Sequence, residues 1–312
     1  MPTSRGEIVE ALQALVASAV GRAPVVAAAG TSATSAIVIG LIGRGIQSSR
    51  SPIMHEREGA RLGMRYVYVL VDFDRLGLPD SELAAVLEGL EEVGFAGCNV
   101  THPFKQKIMP HLTRLASDAS AIGAVNTVVL KGGMRVGHNT DCFGFATSFQ
   151  EGMKGCALDR IAQFGAGGAG AAISYALLEM GVERLDVIDS DGARAAALAT
   201  RMAERFGSRI VASEDVGQSQ RAAAGIVNTT PVGMAKYPGT PFPAEWLRAS
   251  QWVAEVIYFP RETELLARAR AIGCRTLAGT GMAIYQAARA FELFTGIVPD
   301  HAAMTSHFEA AA

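Results

Sequence analysis

The chain has 312 residues, of which 49% are hydrophobic and 19% are charged, and its formal net charge at pH 7 is −2. This length and composition predict a folded chain with a large core, arranged as two domains or one large domain. The balanced charge, without any basic run, argues against a nucleic-acid-binding protein, which needs clustered positive charge to displace counterions from phosphate.

The cysteines, Cys98, Cys142, Cys156 and Cys274, show neither a metal-binding nor a disulfide pattern. No two of them form a CxxC pair, and no histidine lies at metal-ligand spacing from any of them. Isolated thiols of this kind are typical of a reduced protein. We therefore expect a cytoplasmic location and no metal site.

The first 35 residues are predicted to form an extension, made of a helix and a small-residue linker, outside the catalytic domains. The uncharged stretch 23–43 is long enough to cross a bilayer, but a proline, a glycine and a run of small polar residues interrupt it. A signal peptide is disfavoured because Glu7 and Glu10 stand where such a segment carries positive charge. We expect no membrane association.

From Ala36 onward, short apolar runs alternate with helical patterns, which predicts an α/β fold with parallel strands. We assign residues 36–140 to an N-terminal α/β domain. The C-terminal helices, in residues 280–312, come after the second alternating run and are expected to pack back onto this first domain. The predicted elements of residues 36–140 are strands at Ala36–Leu41, Arg65–Val71 and Ala96–Val100, helices at Pro52–Leu62 and Ser81–Glu92, and a hairpin of Val125–Leu130 and Met134–Gly137.

A second alternating run occupies residues 141–279, with a glycine cluster after its first strand. Gly165 to Gly170 satisfy G-x-G-x-x-G between a predicted strand and a predicted helix, and Asp189 follows about 20 residues further on. This context predicts a Rossmann domain that holds a pyrophosphate at the helix N-terminus. The alternative is a tight strand–helix turn without a ligand. The turn residues are Gly165, Ala166, Gly167, Gly168, Ala169 and Gly170, and the predicted strands are Ile161–Phe164, Leu185–Asp189, Arg209–Ala212, Gly225–Asn228 and Trp252–Tyr258.

Asp189 also bears on the choice of nicotinamide cofactor. A carboxylate at the end of the second Rossmann strand accepts hydrogen bonds from the ribose hydroxyls and repels the 2′-phosphate of NADP. Asp191 adds a second negative charge, and Arg194 is the only cation nearby in the sequence. The sequence therefore favours NAD, with NADP as the alternative. The plainer interpretation is that Asp189 only caps the following helix.

Two polar segments contain candidates for proton transfer, which the oxidation of an alcohol by hydride transfer requires. Lys105 is the last residue of the polar segment Asn99–Lys105, which begins at the end of a predicted strand. Asp141 is the last residue of the segment Gly137–Asp141, which lies between the two predicted domains. Since open α/β sheets bind ligands at the carboxyl ends of their strands, we expect both side chains on opposite walls of one interdomain cleft. From the residues alone, an ordinary surface ion pair is an equal alternative.

Seven segments of the chain, some of them already described, form a series of motifs in a characteristic order and spacing. They are residues 43–55, 99–105, 123–127, 139–141, 165–170, 228–234 and 279–286. Together they resemble the shikimate dehydrogenase family, including its NAD-using quinate/shikimate branch. The resemblance extends from about Ile37 to the C-terminus, and it implies a substrate-binding domain joined to a Rossmann domain.

The resemblance also implies roles for single residues. Lys105 matches the general acid/base that exchanges the proton of the substrate's C3 hydroxyl, and Asp141 matches the residue that binds substrate hydroxyls and orients that lysine. Ser49 and Ser51 match the hydroxyls that hold the substrate carboxylate. The other substrate-side matches are Asn99, Thr101, Asn126, Tyr258 and Gln286. The nicotinamide-side matches are Asn228, Thr229, Pro231, Val256 and Gly279.

Departures from the family pattern concern the choice of cofactor and substrate. Asp189-Ser190-Asp191 replaces the Asn-Arg-Thr of NADP-linked members, and of their basic positions only Arg194 is matched. Ser51 agrees with shikimate-type members, where some quinate-preferring ones have Thr. Glu255 stands where the family carries Asp.

The resemblance thus implies a shikimate 3-dehydrogenase that interconverts shikimate and 3-dehydroshikimate. A quinate dehydrogenase or a dual quinate/shikimate dehydrogenase is the alternative within the same class. A non-catalytic ligand-sensing protein of the same fold is the third hypothesis, and the presence of both Lys105 and Asp141 disfavours it. The expected partner is a small molecule, shikimate or quinate; a homodimer stays open.

Overall fold

The computed structural model describes residues 4–21 and 36–310. The predicted linker, and most of the stretch considered as a membrane span, lie outside these residues. None of the described helices is long and apolar enough to cross a membrane. In chain order the helices are α1 (Arg5–Val20), α2 (Ser51–Arg61), α3 (Phe73–Leu76), α4 (Leu83–Val93), α5 (Ser117–Ile122), α6 (Thr140–Gly152), α7 (Gly168–Glu179), α8 (Gly192–Phe206), α9 (Val216–Ala222), α10 (Glu264–Ala271), α11 (Thr280–Thr295) and α12 (His301–Glu309). The strands are β1 (Ile37–Gly43), β2 (Tyr66–Asp72), β3 (Gly97–Val100), β4 (Arg114–Leu115), β5 (Thr127–Lys131), β6 (Met134–His138), β7 (Arg160–Phe164), β8 (Arg184–Ile188), β9 (Ile210–Ala212), β10 (Gly225–Asn228), β11 (Trp252–Glu255) and β12 (Arg275–Leu277).

The chain divides into two compact units. The first unit contains the described residues up to Ser120, then Ala124–Thr140, then those from Ala287 onward. The second unit contains Ala121–Gly123 and Asp141–Gln286. The division differs from the sequence-based one in three respects: the N-terminal helix belongs to the first unit, whereas Ala121–Gly123 and the start of α11 belong to the second.

The first unit is built on a six-stranded sheet with the order β2-β1-β3-β5-β6-β4. β2, β1 and β3 are parallel, whereas β5 runs antiparallel to β3 and to β6. The predicted hairpin is present, and its turn residues Gly132 and Gly133 have φ values of 58° and 73°. Glycine adopts this left-handed conformation without the steric cost that other residues carry, which explains the pair at this turn.

Helix α1 forms part of the core of the first unit, whereas the sequence predicted it as an extension outside the catalytic domains. Ser4 and Glu7 form a capping box at its start, and Ile8 and Leu12 are buried in the cluster that also contains residues of β2 and α4. A side chain at Gly89 of α4 would lie 2.9 Å from the Leu12 side chain, so the two helices pack closely. Helix α1 therefore covers apolar surface of the first unit.

The second unit has an all-parallel sheet with the order β12-β11-β10-β7-β8-β9. This order places β7 in the centre, with later strands on both sides, as in a doubly wound dinucleotide-binding fold. The apolar core contains fully buried residues of the central strands, including Ala162, Ile226 and Val253. The predicted α/β class, with a Rossmann domain as its second part, is confirmed.

Several element boundaries predicted from the sequence are wrong. The strand predicted at Trp252–Tyr258 ends at Glu255, and the helix predicted from Ser81 begins as a 3₁₀ turn, Asp80–Glu82, before α4. The short strands β4 and β12 were not predicted. Both have two or three residues, which is too short for an alternating pattern to identify a strand.

Candidate active site

In the first unit, several loops meet at one edge of the sheet. β1 and β3 are parallel neighbours with Ile42 opposite Val100, so the loops that follow them leave the sheet side by side. β5 runs antiparallel to β3 with Thr127 opposite Asn99, which brings the start of β5 to the same edge. We call residues 44–51 the serine loop and residues 101–105 the lysine loop; both contain predicted substrate-side residues.

The serine loop and the lysine loop are in direct contact. The Arg44 N–H donates to the His102 carbonyl at 3.2 Å, and the Thr101 N–H donates to the Ile42 carbonyl at 2.9 Å. A side chain at Gly43 would lie 2.5 Å from the Thr101 methyl carbon, so this glycine permits the close approach. The two loops therefore form one surface.

The serine loop presents two hydroxyls next to the start of α2. The Ser51 N–H donates to Ser49 Oγ at 3.3 Å, and the Ser49 N–H donates to the Ile46 carbonyl at 3.0 Å. Helix α2 begins at Ser51, with Arg50 as N-cap and no capping hydrogen bond from a side chain. The Ser51 N–H is used by Ser49 Oγ and Pro52 has no N–H, so what α2 adds for an anion is the positive end of the helix dipole.

Lys105 lies at the end of the lysine loop, and its surroundings hold its backbone in place. Its carbonyl accepts the Val125 N–H at 2.8 Å, and the neighbouring Phe104 is fully buried against Phe73. The Lys105 side chain is part-buried, on the same edge as the serine loop. A lysine side chain that is only partly buried in this way can reach a bound substrate and exchange a proton with it.

Asn99 and Asn126 lie side by side in a buried hydrogen-bonded network. Asn99 Oδ1 accepts from the Tyr68 hydroxyl at 2.8 Å, and Asn99 Nδ2 donates to Thr127 Oγ1 at 2.9 Å. Asn126 Oδ1 accepts the Thr140 N–H at 2.7 Å. These contacts orient both amides at the sheet edge, and their side chains are 7% and 3% exposed, respectively. Tyr68 was not among the predicted site residues.

In the second unit, the predicted cofactor residues lie at the carboxyl edge of the central strands. Phe164 at the end of β7 is opposite Ile188 of β8 and Asn228 of β10, and Asn228 is opposite Glu255 of β11. The loops after all four strands therefore meet. Open α/β sheets bind nucleotides at such an edge.

The glycine loop, residues 165–170, fits a dinucleotide. Gly165 has a φ of 105°, and a side chain at Gly170 would lie 2.3 Å from the Gly165 carbonyl oxygen, so both positions require glycine. A side chain at Gly167 would meet no atom within 4 Å, so this face of the loop is open. Gly167 is the N-cap of α7, and no side chain caps the helix. The free N–H groups and the open face suit a pyrophosphate.

Asp189 and Asp191 have different partners. Asp189 Oδ2 accepts the Ala166 N–H of the glycine loop at 2.8 Å, and Asp189 Oδ1 accepts the Asp191 N–H at 2.9 Å. Asp191 is the residue that caps α8, and it also binds the Arg194 guanidinium at 3.0 Å. The interpretation of Asp189 as a cap of the following helix is therefore wrong.

The loop after β10 contacts the glycine loop and the end of β11. Thr229 Oγ1 donates to the carbonyls of Phe164 and Gly165, at 2.8 and 2.9 Å. Pro231, two residues further along this loop, is exposed. A side chain at Gly279 would lie 2.4 Å from the Val256 carbonyl oxygen, so the backbones at these two positions touch. The predicted nicotinamide-side residues are thus gathered at one edge.

Glu255 is a buried carboxylate that connects this loop with the end of β11. It accepts hydrogen bonds from Asn228 Nδ2 at 3.1 Å, from the Thr263 hydroxyl at 3.2 Å, and from the backbone N–H groups of Val256 and Ile257. Burial raises its pKa to about 7, although these donors act in the opposite direction. Sequence analysis identified Glu255 only as a departure from the family pattern.

Three predicted substrate-side residues belong to the second unit. Asp141 is buried in the first turn of α6, Gln286 lies in α11, and Tyr258 follows β11. A side chain at Gly144 would lie 2.6 Å from the Met282 carbonyl oxygen, so α6 and α11 pack closely. Lys105 belongs to the first unit and Asp141 to the second, so the expectation that they flank one cleft stays a prediction.

Gln163 is a site residue that sequence analysis missed. This fully buried side chain donates to the carbonyls of Gly165 and Gly170 at 2.9 and 3.0 Å, and it accepts from the Ser174 hydroxyl. These hydrogen bonds hold the backbone of the glycine loop in place. The sequence signal that could have identified Gln163 is its position as the one amide in an otherwise apolar predicted strand, since a buried polar side chain requires hydrogen-bond partners.

Comparison with known proteins shows which family models match this chain and which proteins are similar to it. A model described as shikimate dehydrogenase substrate binding domain matches residues 41–128, and one described as shikimate 5′-dehydrogenase C-terminal domain matches residues 279–306. A shikimate dehydrogenase (NADP⁺) of Streptomyces avermitilis is 50% identical over 84% of this chain and 91% of its own length. A quinate/shikimate dehydrogenase (NAD⁺) of Corynebacterium glutamicum is 45% identical over 87% of this chain and 98% of its own length.

A solved structure shares the architecture of the whole catalytic part. Quinate dehydrogenase from Corynebacterium glutamicum in complex with NAD superimposes with a TM-score of 0.83 at 44% identity. The match covers 89% of this chain and all of the other.

Proposed function

This chain belongs to the shikimate dehydrogenase family, and from that premise we propose that it interconverts shikimate and 3-dehydroshikimate. As a member of this family it is a nicotinamide-dependent oxidoreductase that acts on a CH–OH group. The observation that supports the substrate most directly is the single edge of the first unit at which the serine loop and the lysine loop meet. That edge combines hydroxyls, a helix N-terminus, amides and one lysine.

The serine loop is suited to the substrate carboxylate. Ser49 and Ser51 supply neutral hydroxyl donors, and the N-terminus of α2 beside them supplies the positive end of the helix dipole. Hydroxyls and a helix N-terminus bind an anion without burying a second full charge. Asn99, Thr101 and Asn126 lie along the same edge for the ring hydroxyls; Tyr258 and Gln286 complete the substrate-side set.

Lys105 moves the proton of the reacting hydroxyl. During oxidation, the C3 oxygen releases its proton to Lys105 Nζ while the C3–H bond gives up its hydride; during reduction, Lys105 returns the proton. Bound nicotinamide dinucleotide supplies the acceptor or donor of that hydride. Asp141 binds the substrate hydroxyls and orients Lys105, which requires the two units to present these residues to one substrate.

NAD is the favoured cofactor, and NADP is the second. The glycine loop, Asn228, Thr229, Pro231, Val256 and Gly279 form the cofactor side. Asp189 stands at the end of β8, where the adenosine ribose binds in this fold, and its charge opposes a 2′-phosphate. Arg194 is paired with Asp191, which holds the guanidinium on α8.

A dual quinate/shikimate dehydrogenase is the alternative, and the acidic end of β8 favours it. The similar quinate/shikimate dehydrogenase is named as an NAD enzyme, as the two aspartates lead us to expect here. Quinate differs by an added C1 hydroxyl, and an apolar or neutral pocket rejects one extra hydroxyl only weakly. The four free thiols support a reducing compartment, the cytoplasm, as the place of action.

Steady-state rates with shikimate and with quinate, each with NAD and with NADP, test the proposal. We expect turnover of shikimate, and higher kcat/KM with NAD. Comparable turnover of quinate and shikimate assigns the dual alternative, and activity confined to quinate assigns a quinate dehydrogenase. Absence of turnover with both substrates and both cofactors contradicts the proposed function.

A further inference from the structure

Asp72 is a buried carboxylate at the end of β2, next to the serine loop. Only 2% of its surface is exposed. Oδ1 accepts the N–H groups of Gly45 and Asp74, at 3.0 and 3.1 Å. Oδ2 accepts the Ile46 N–H at 3.1 Å and Gln47 Nε2 at 2.8 Å. Three of its four donors therefore belong to consecutive residues of the serine loop.

Ile46 transmits this anchoring to the serines. Its N–H donates to Asp72, its carbonyl accepts the Ser49 N–H, and its side chain is buried in the core of the first unit. Ser49 Oγ in turn accepts the Ser51 N–H. A continuous series of hydrogen bonds thus runs from Asp72 through Ile46 to Ser49, and from the Ser49 hydroxyl to the backbone N–H of Ser51.

Asp72 is ionised in the folded protein. Burial alone raises the pKa of a carboxyl group, but the donors from Gln47, Asp74, Gly45 and Ile46 together lower the pKa of Asp72 below its usual value. An anion is the only form of this side chain that accepts from two donors on each oxygen.

We propose that Asp72 is a positioning residue of the substrate-carboxylate site: it fixes the backbone of Gly45–Gln47 so that Ser49 and Ser51 face the substrate together. This inference rests on the proposed function. Asp72 does not contact the substrate in this account, and its effect passes through the serine loop. It belongs to the binding of substrate, and the cofactor side of the second unit does not depend on it.

The substitution Asp72→Asn tests the proposal with little change of size. The asparagine NH₂ replaces one oxygen, and in either orientation it faces two N–H donors, one of them from Gly45 or Ile46. Gln47 is held in its orientation because its Oε1 accepts from Arg75 at 2.9 Å, so a flip of its amide does not repair the contact cheaply. We expect the KM for shikimate to rise about tenfold, with the KM for NAD unchanged within about twofold; tenfold corresponds to about 1.4 kcal/mol.

Glu58→Gln is the matched control, because Glu58 is also a buried carboxylate of the first unit. It binds Arg61 and the Asp300 N–H and lies near His307, and none of these partners belongs to the serine loop. We expect this variant to lower the urea midpoint of unfolding and to leave the KM for shikimate within about twofold. Gln47→Ala, at an exposed position, is the second test if Asp72→Asn does not fold, with an expected rise in KM of about threefold.

Three results contradict the proposal while leaving the function intact. Asp72→Asn with a wild-type KM and a lowered unfolding midpoint shows a purely structural role. An equal rise in the KM for shikimate and for NAD shows a general disturbance, and a Gln47→Ala variant with wild-type KM shows that the loop does not need this anchor. A wild type that turns over neither shikimate nor quinate contradicts the proposed function itself, and the inference with it.

Discussion

Lys105 is the residue on which the proposed chemistry depends most. Replacement by Ala removes the group proposed to exchange the proton of the reacting hydroxyl, while the contacts of the serine loop and of the buried amides remain. We expect kcat to fall by about 10² or more, with substrate binding changed by less than about tenfold. Steady-state kinetics from about pH 6 to pH 10 measure both quantities.

Lys107 offers a matched control in the same segment. It is exposed and forms an ion pair with Asp80 at 2.6 Å. Lys107→Ala removes a lysine two positions away, and exposed ion pairs contribute about 0–1 kcal/mol, so kcat should change by less than about threefold. If Lys105→Ala lowered kcat by less than tenfold, or if both variants lost the same activity, Lys105 would not be the acid/base.

The cofactor preference is also decided by single side chains. We expect the wild type to favour NAD over NADP by at least about tenfold in kcat/KM, which requires about 1.4 kcal/mol. Asp189→Ala should remove most of that preference, because it removes the charge that is proposed to face the ribose. Asp191→Ala should raise kcat/KM for NADP, because it frees Arg194 from its ion pair.

Kinetics of both variants with both cofactors separate the two contributions. The result that opposes this assignment is an Asp189→Ala variant with unchanged preference, or a wild type that prefers NADP. If Asp191→Ala left NADP use unchanged, Arg194 would be too distant to reach the phosphate.

At the scale of elements, the sequence pattern predicted correctly those features that interactions between neighbouring residues determine. The glycine loop, the hairpin at Gly132-Gly133 and the alternation of strands and helices follow from short-range geometry, and the structure has them. The strand predicted to run to Tyr258 instead ends at Glu255, because this side chain binds the N–H groups of Val256 and Ile257. A contact of that kind is invisible to an apolar pattern.

Helix α1 is the element whose position the sequence predicted least well. Its large apolar residues, among them Ile8, Leu12 and Leu15, recur at helical spacing, which indicates a packed face but not the surface that this face covers. Leu12 is fully buried against the first unit. Leu12→Ala should therefore lower the free energy of unfolding by about 2–5 kcal/mol, the usual range for a buried leucine.

Leu15→Ala, in the same helix, is the control. Leu15 is only partly buried, so its loss should be clearly smaller. Urea unfolding measures both variants. Equal effects of the two substitutions would show that α1 does not pack as the structure has it.

At the scale of the whole molecule, the site depends on contacts between residues far apart in the chain. The partners of Asp72 lie in the serine loop, at Gly45–Gln47, and those of Asn126 include Thr140. Family resemblance supplied Ser49, Ser51 and Lys105, but not the residues that hold them. Pattern and resemblance thus identify which residues act, whereas only the tertiary structure identifies what positions them.

The stability of the molecule should depend on pH through Glu255. Its pKa is raised from 4.5 to about 7 in the folded state, with burial as the main cause. Between these values the folded protein keeps a proton that the unfolded chain releases, so the free energy of unfolding falls as the pH rises. The contribution is fully present below the unfolded pKa and is lost as the pH passes the folded one. It amounts to about 2–3 kcal/mol between about pH 5 and pH 8.

Glu255→Gln isolates this contribution, because glutamine does not titrate. The wild type should lose stability relative to the variant as the pH rises, and the difference between their free energies of unfolding should shift by that amount. Urea unfolding of both proteins across this range provides the measurement. Parallel curves would show that Glu255 has the same proton affinity in both states; its four hydrogen-bond donors would then fully offset its burial.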